Sequence, residues 1–316
     1  MHARRWPLHP LPLEGEAITS WIVRIARQYG TEWDVLLHRT FGWPDTTYVD
    51  ADTQIPHWVI RGLSAKTGVP ASDIRLMTLA GQWDRLLTDT TVPTPKEYLS
   101  RYEILFSDET QKPHHYNGWQ PWRPDRWILF ACRECVAENG EGFYRLIWRL
   151  PMLRSCPIHG QLLERAVFSG EETRWVDGPQ LATPAIRLMD ALTWQGWTQG
   201  YVDLKRRRVS VAEWLCMLRC LIEETCFKHH ERGWSDWFDE TESIEIPFFP
   251  CDVFEHMEMR EVKRVLEAVA YVLARIQHHQ MRTSGKHAQI LVPPASAWDR
   301  LEAAARFCHA SSIDLD

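Results

Sequence analysis

Residues 132–160 read CRECVAENGEGFYRLIWRLPMLRSCPIHG. Two knuckles bracket the run: Cys132-x2-Cys135 opens it, Cys156-x2-His159 closes it, and twenty residues lie between. A two-residue gap lets both side chains of a knuckle point at one ion. Four thiolate or imidazole donors then satisfy the tetrahedral preference of Zn2+. The spacing predicts one structural Zn2+ per chain, held by Cys132, Cys135, Cys156 and His159. A catalytic zinc keeps one position open beside a Glu or His base, whereas this motif fills all four. Glu134 lies inside the first knuckle, but no HExxH accompanies it. The base-deaminase pattern fails as well, because it needs an HxE ahead of its CxxC. None precedes Cys132, and His256-Met257-Glu258 comes far behind the knuckles. Asn139-Gly140 and Gly142 supply turns, and residues 143–148 read as a strand, so a small zinc ribbon is expected over 129–170.

Working outward, 316 residues that are 45% apolar suffice for two or three modest domains. No run of 18 apolar residues marks a membrane span, and the opening MHARRWPLHPLPLEGE lacks the apolar core of a secretory signal. Five further Cys fall in no regular framework, which fits reduced thiols and a cytoplasmic location. The net charge of −6 argues against coating DNA by charge alone, yet leaves room for a local basic face. Seventeen Trp is high for this length. Core anchors are the first explanation, a contact surface the second.

The fold class is mainly α: an N-terminal helical domain with helix-turn-helix character (1–90), an irregular linker (91–128), the ribbon (129–170) and a C-terminal helical domain (171–316). Ile18, Trp21, Ile22, Ile25, Ala26 and Tyr29 share one helical face, and Gly30 ends it. A second helix is expected from Thr31, with Asp34 as capping partner, up to Gly42-Trp43-Pro44. A third runs from His57 to about Thr67. Gly68-Val69-Pro70 then turns the chain, and Ser72-Asp73 is expected to cap a fourth helix reaching about Leu79. This pattern resembles a helix-turn-helix, although any helical hairpin with a Gly turn reads the same way. Acids and bases roughly balance over 1–90, which weakens a role in DNA binding alone. Later helices are expected from about Thr183 to the Thr193–Gly196 region, then over 211–227, 253–279 and 297–310.

Other residues carry candidate roles. Lys205-Arg206-Arg207-Arg208 is the densest basic run, either a solvated loop or a contact for phosphate, effector RNA or a partner. Arg145, Arg149 and Arg154, interleaved with Tyr144 and Trp148, form either a backbone-contact face or cation–π packing. Cys216 and Cys220, with Cys226, His229 and His230 behind them, spell either a second zinc site or core thiols on an apolar helix. No GxxxxGK[ST], GxSxG or GxGxxG occurs, so an enzyme is not expected.

The string FACRECVAENGEGFYRLIWRLPMLRSCPIHGQLL (130–163) resembles the zinc-binding core of the TniQ/TnsD family. The shared pattern is CxxC, an acidic-Gly turn, an aromatic-Arg-Leu-x-Trp run, Leu-Pro, then CPxHG followed by Leu. RWPLHPLPLEGEAITSWIVRIARQYG (5–30) is similar to the opening of that family: a Pro-rich lead, a Glu, a Ser-Trp pair and an amphipathic helix. The resemblance covers about half the chain. It implies target selection in DNA transposition, by an adapter that reads an attachment site directly or joins a CRISPR effector complex with guide RNA. Such an adapter recruits an AAA+ ATPase regulator and, through it, the transposase complex. A homodimer is a further expectation. The competing reading is a zinc-containing helix-turn-helix transcription regulator with no transposition partner.

Overall fold

The computed structural model describes residues 5–43, 50–86, 129–140, 142–169, 172–205, 207–227, 254 and 259–278. Helix α1 (Ile18–Gln28) forms where the apolar periodicity places it, burying Ile18, Trp21, Ile22, Ile25 and Ala26. Helix α2 (Trp33–Phe41) starts two residues later than expected. Glu32, not Thr31, is its N-cap, with no side-chain cap, and Asp34 Oδ1 instead accepts from Val35 N at 2.7 Å. Helix α3 (His57–Thr67) ends at Gly68, whose φ of 79° is the left-handed conformation a glycine adopts without strain. Pro70, with φ −56°, then opens α4 (Ala71–Leu76). The expected Ser72-Asp73 cap is not made. Both residues lie inside the first turn of α4, where Ser72 Oγ donates to Asp73 Oδ1 at 3.0 Å. The two helices and the Gly turn are thus in place, but a hairpin of this kind is not by itself a DNA reader. A 3-10 turn (Ala80–Gln82) leads into α5 (Trp83–Leu86). Helices α1 to α4 enclose a core that includes Trp21, Ile22, Ile25, Leu37, Leu63 and Ile74.

The central module opens with β1 (Leu129–Ala131) and α6 (Arg133–Asn139). Strands β2 (Glu164–Ser169) and β3 (Glu172–Trp175) complete an antiparallel sheet of order β1-β2-β3, with Phe130 opposite Arg165 and Val167 opposite Arg174. The strand expected over 143–148 does not form; residues Leu146–Arg149 make a 3-10 turn. A half-buried strand exposes every second side chain. Here Phe143, Tyr144, Leu146, Ile147 and Trp148 are all buried, so the chain coils to turn successive aromatics inward. Trp148 meets Phe143 and Tyr144 edge-on, at 6.0 and 5.4 Å between ring centroids.

Helix α7 (Pro184–Gln199) begins at the Thr183 N-cap, whose hydroxyl accepts from Ile186 N, with Pro184 in the first turn. It runs past the stop expected at Gly196 and ends at Gly200, φ 85°. Gly196 is in the helix because it packs closely: a Cβ there would lie 2.9 Å from Val202 Cγ2 and 3.1 Å from Val211 Cγ2. A short hairpin, β4 (Tyr201–Asp203) and β5 (Arg208–Ser210), follows and was not foreseen in the sequence. Helix α8 (Val211–Phe227) has the expected bounds, and α9 (Met259–Gln277) falls within the expected span. The core of the central module is continuous with α7, α8 and α9, through Leu153, Ile186, Met189, Trp214, Leu218 and Val265. The expected linker 91–128 and helix 297–310 lie outside the described residues.

Candidate metal centre

Cys132 follows β1 as the N-cap of α6, and Cys135 sits in the first turn of that helix. The second knuckle is closed by Gly160 N donating to Cys156 O (2.7 Å) and Cys156 N donating to Gln161 O (2.8 Å). Gly160, with φ 68°, lets the chain reverse behind His159. His159 Nδ1 lies 3.4 Å from Cys132 Sγ, 3.4 Å from Cys135 Sγ and 3.6 Å from Cys156 Sγ. Cys135 and Cys156 Sγ are 3.7 Å apart. A zinc ion with Zn–S of about 2.3 Å and Zn–N of about 2.05 Å has tetrahedral edges of about 3.8 Å (S to S) and about 3.6 Å (S to N). The four donors therefore stand at the corners of a zinc-sized tetrahedron. They are the one such group among the described residues, and all three Cys are buried.

The electrostatics agree with the distances. Three thiols this close cannot all ionise by themselves. Hydrogen bonds from Cys132 and Cys135 hold the Cys156 thiol far below its usual range, while those with Cys132 and Cys156 push Cys135 up. A dication removes the conflict, because a coordinating thiol is deprotonated outright. When bound, Zn2+ supplies a cross-link and the positive charge that three thiolates require.

Neighbouring elements hold both knuckles. Asp190 of α7 is fully buried and accepts from Ser155 N (2.6 Å), Ser155 Oγ (2.6 Å) and Arg154 N (3.2 Å), just ahead of Cys156. Burial pushes its carboxyl up to about 7. Behind Gly160 packs the Arg187 guanidinium, 3.0 Å from where a Cβ would stand. Arg133, next to Cys132, makes paired hydrogen bonds to Glu164 of β2 (3.1 and 2.6 Å) and stacks on Trp175 at 4.6 Å.

The basic candidates divide. Arg149 and Arg154 face inward, each 3% exposed. Arg149 pairs with Asp50, and Arg154 stacks 3.9 Å over Phe130. Arg145 is half-buried, donates to Glu14 O at 3.1 Å and lies over Phe143 and Trp194. Lys205 and Arg207 flank the tip of the β4–β5 hairpin, where Lys205 Nζ meets the His278 ring at 2.9 Å. Arg208 pairs with Asp203 at 2.7 Å and stacks on Tyr201 at 3.9 Å. Arg206 lies outside the described residues, as do His229, His230 and the Cys226 side chain. Cys216 and Cys220 are buried in α8 and join no metal-binding group among the described residues.

Sequence reading missed the residues that dock the N-terminal helices onto this centre. Ala17 N donates to Tyr144 O and Leu146 N to Gly15 O, both at 2.9 Å, around an antiparallel bridge of Glu16 with Arg145. Glu16 is 2% exposed and accepts from Leu13 N (2.8 Å), Ser20 Oγ (2.6 Å) and Arg24 Nη1 (2.7 Å). Ser20 Oγ in turn accepts from Tyr144 N at 3.0 Å. Within the N-terminal region itself, Asp52 accepts from Thr19 N at 2.9 Å. Burial, partly offset by Arg149, pushes its carboxyl up to about 6. The signal for Glu16 was the Glu-x3-Ser spacing ahead of α1, which places two polar groups on a face otherwise apolar.

These features define a mainly helical protein with a Cys3His centre packed against its helices on both sides in the sequence. The family model TniQ matches residues 7–163, from the Pro-rich lead through the second knuckle, and the chain belongs to the TniQ family. The domain associates the chain with DNA transposition and its machinery. No curated protein and no solved structure matches it. Among the described residues no helix is long and apolar enough to cross a membrane.

Proposed function

We propose that the protein is a target-site-selection adapter for DNA transposition. It links target DNA, read directly or through an RNA-guided CRISPR effector complex, to an AAA+ ATPase regulator and the transposase. The observation that carries this reading is the TniQ match across both the Pro-rich opening and the knuckles, two segments that bind each other in the fold. The protein is not an enzyme in this reading. Cys132, Cys135, Cys156 and His159 hold about one structural Zn2+ per chain. That cross-link fixes residues 144–149, which carry the N-terminal helices.

Arg145 and the basic run Lys205, Arg206, Arg207 and Arg208 contact nucleic acid or a partner. Arg149 and Arg154 brace the same region from within. A net charge of −6 favours the adapter over a protein that grips DNA alone. The α3–α4 hairpin is a second contact element, and the working unit is a homodimer. The test is a pull-down of the AAA+ ATPase with the tagged full-length chain, with and without nuclease treatment. Capture of the ATPase supports the adapter, and co-purified effector subunits identify RNA guidance. Failure to bind the ATPase, combined with tight site-specific DNA binding, would make the chain a transcription regulator instead.

A further inference from the structure

His159 has two ring nitrogens, and the structure separates their roles. Nδ1 faces the three sulfurs at 3.4–3.6 Å. Nε2 points the other way, 3.2 Å from Glu138 Oε1 and 3.6 Å from Glu134 Oε2. The two glutamates stand four residues apart on α6, one turn from each other on one face, and the same helix carries Cys135. Gln161 completes the arrangement. Its side-chain amide donates to Glu134 Oε1 while its carbonyl accepts from Cys156 N. A neutral imidazole bound to metal through Nδ1 must carry its proton on Nε2, and that proton needs an acceptor.

We propose that Glu138, assisted by Glu134, is a positioning residue for the metal centre: it accepts the Nε2 proton of His159 and so fixes Nδ1 toward the ion. This rests on the zinc reading of the four donors. Glu138 is not itself a ligand, and nothing is bonded to the ion through it. Its carboxylate acts in two opposed ways. The hydrogen bond orients the ring and makes Nδ1 a better donor. The negative charge repels a centre whose three thiolates and one Zn2+ already sum to −1. Hydrogen bonding to an ionised acceptor outweighs the charge effect here, because both glutamates are open to water, with side chains 47% and 62% exposed, and water screens charge more than contact.

The experiment uses the zinc-loaded full-length chain and an excess of the chromogenic chelator 4-(2-pyridylazo)resorcinol, reading the rate of zinc transfer. The Glu134→Ala/Glu138→Ala double variant is expected to release zinc about 10- to 100-fold faster than the parent. Glu138→Gln, whose amide oxygen still accepts the proton, should show a smaller increase. Glu32→Ala, exposed and remote, should show none. Both α6 side chains are exposed, so the variants keep the fold, which far-UV circular dichroism checks. Nitrogen-15 spectra of the His159 ring, assigned through a His159 variant, should place the proton on Nε2 in the parent. Parent-like release from the double variant, or metal bonded through Nε2, would overturn the inference while leaving the zinc site intact. A parent chain that binds no zinc would instead remove the site itself.

Discussion

Asp190 shows how one side chain can govern a knuckle that it never enters. Its Oδ2 gathers three donors from residues 154 and 155, while its Oδ1 has no hydrogen-bond partner among the described residues. A buried carboxyl raised to about 7 is held more tightly protonated in the folded chain than in the unfolded one. Its contribution to stability is therefore complete below about pH 4 and declines as the pH climbs through 7. The decline amounts to about 4 kcal/mol. Metal binding works with the opposite sign, since acid protonates the thiols, so the comparison must be between two proteins at each pH. Asp190→Asn should gain on the parent in melting temperature as the pH rises from 5 to 8. An unchanged gap across that range would show that the carboxyl does not titrate in this window. The clustering of Cys132, Cys135, Cys156 and His159 was legible in the sequence because the spacing within each knuckle is local. The fates of Arg149 and Arg154 were not. Asp50 lies 99 residues from Arg149, and Phe130 reaches Arg154 only when β1 pairs with β2.

Among the elements, local signals set the helices well and their ends less well. Helix α1 was legible because its apolar period agrees with the face it buries, and α3 because Pro56 and Gly68 punctuate it. Residues 143–148 misled, since an aromatic run looks like a strand until both of its faces turn out to be covered. Gly196 misled for a related reason: a helix stop and a close-packing site share one residue type. This gives a prediction with two opposing terms. In an open helix Gly→Ala stabilises by about 1 kcal/mol. At 196 the new methyl meets Val202 and Val211 at 2.9 and 3.1 Å, and overpacking costs about 1–3 kcal/mol. Gly196→Ala is expected to lower stability by about 1 kcal/mol in urea unfolding. Gly178→Ala, with no atom of the described residues within 4 Å of the added group, should stay within about 0.5 kcal/mol. A stabilised Gly196→Ala variant would mean that the hairpin yields to the helix.

For the molecule as a whole, the metal centre is expected to be a condition of folding, not an ornament on it. The knuckles frame residues 144–149, those residues hold α1, and the core behind them continues into α7, α8 and α9. Elemental analysis should return about one zinc per chain. Chelation, or Cys132→Ser or Cys156→Ser, should lower the melting temperature and abolish the near-UV circular dichroism of packed Trp21 and Trp148 together. Retention of both signals without metal would remove the structural role. Four of the tryptophans, Trp21, Trp43, Trp148 and Trp214, are core anchors, among the largest fully buried side chains.

The pairing of residues 15–17 with 144–146 has one more consequence. It joins two stretches nearly 130 residues apart through backbone hydrogen bonds, the Glu16–Ser20–Tyr144 chain and the Arg149–Asp50 pair. The contact is made of complementary parts rather than of chain continuity. The protein should therefore survive being made in two pieces. A fragment ending near residue 90 and another starting near residue 125, co-expressed with zinc, should find each other and co-purify. Glu16→Ala in the first piece should weaken that capture, which would make Glu16 the latch of a two-part assembly.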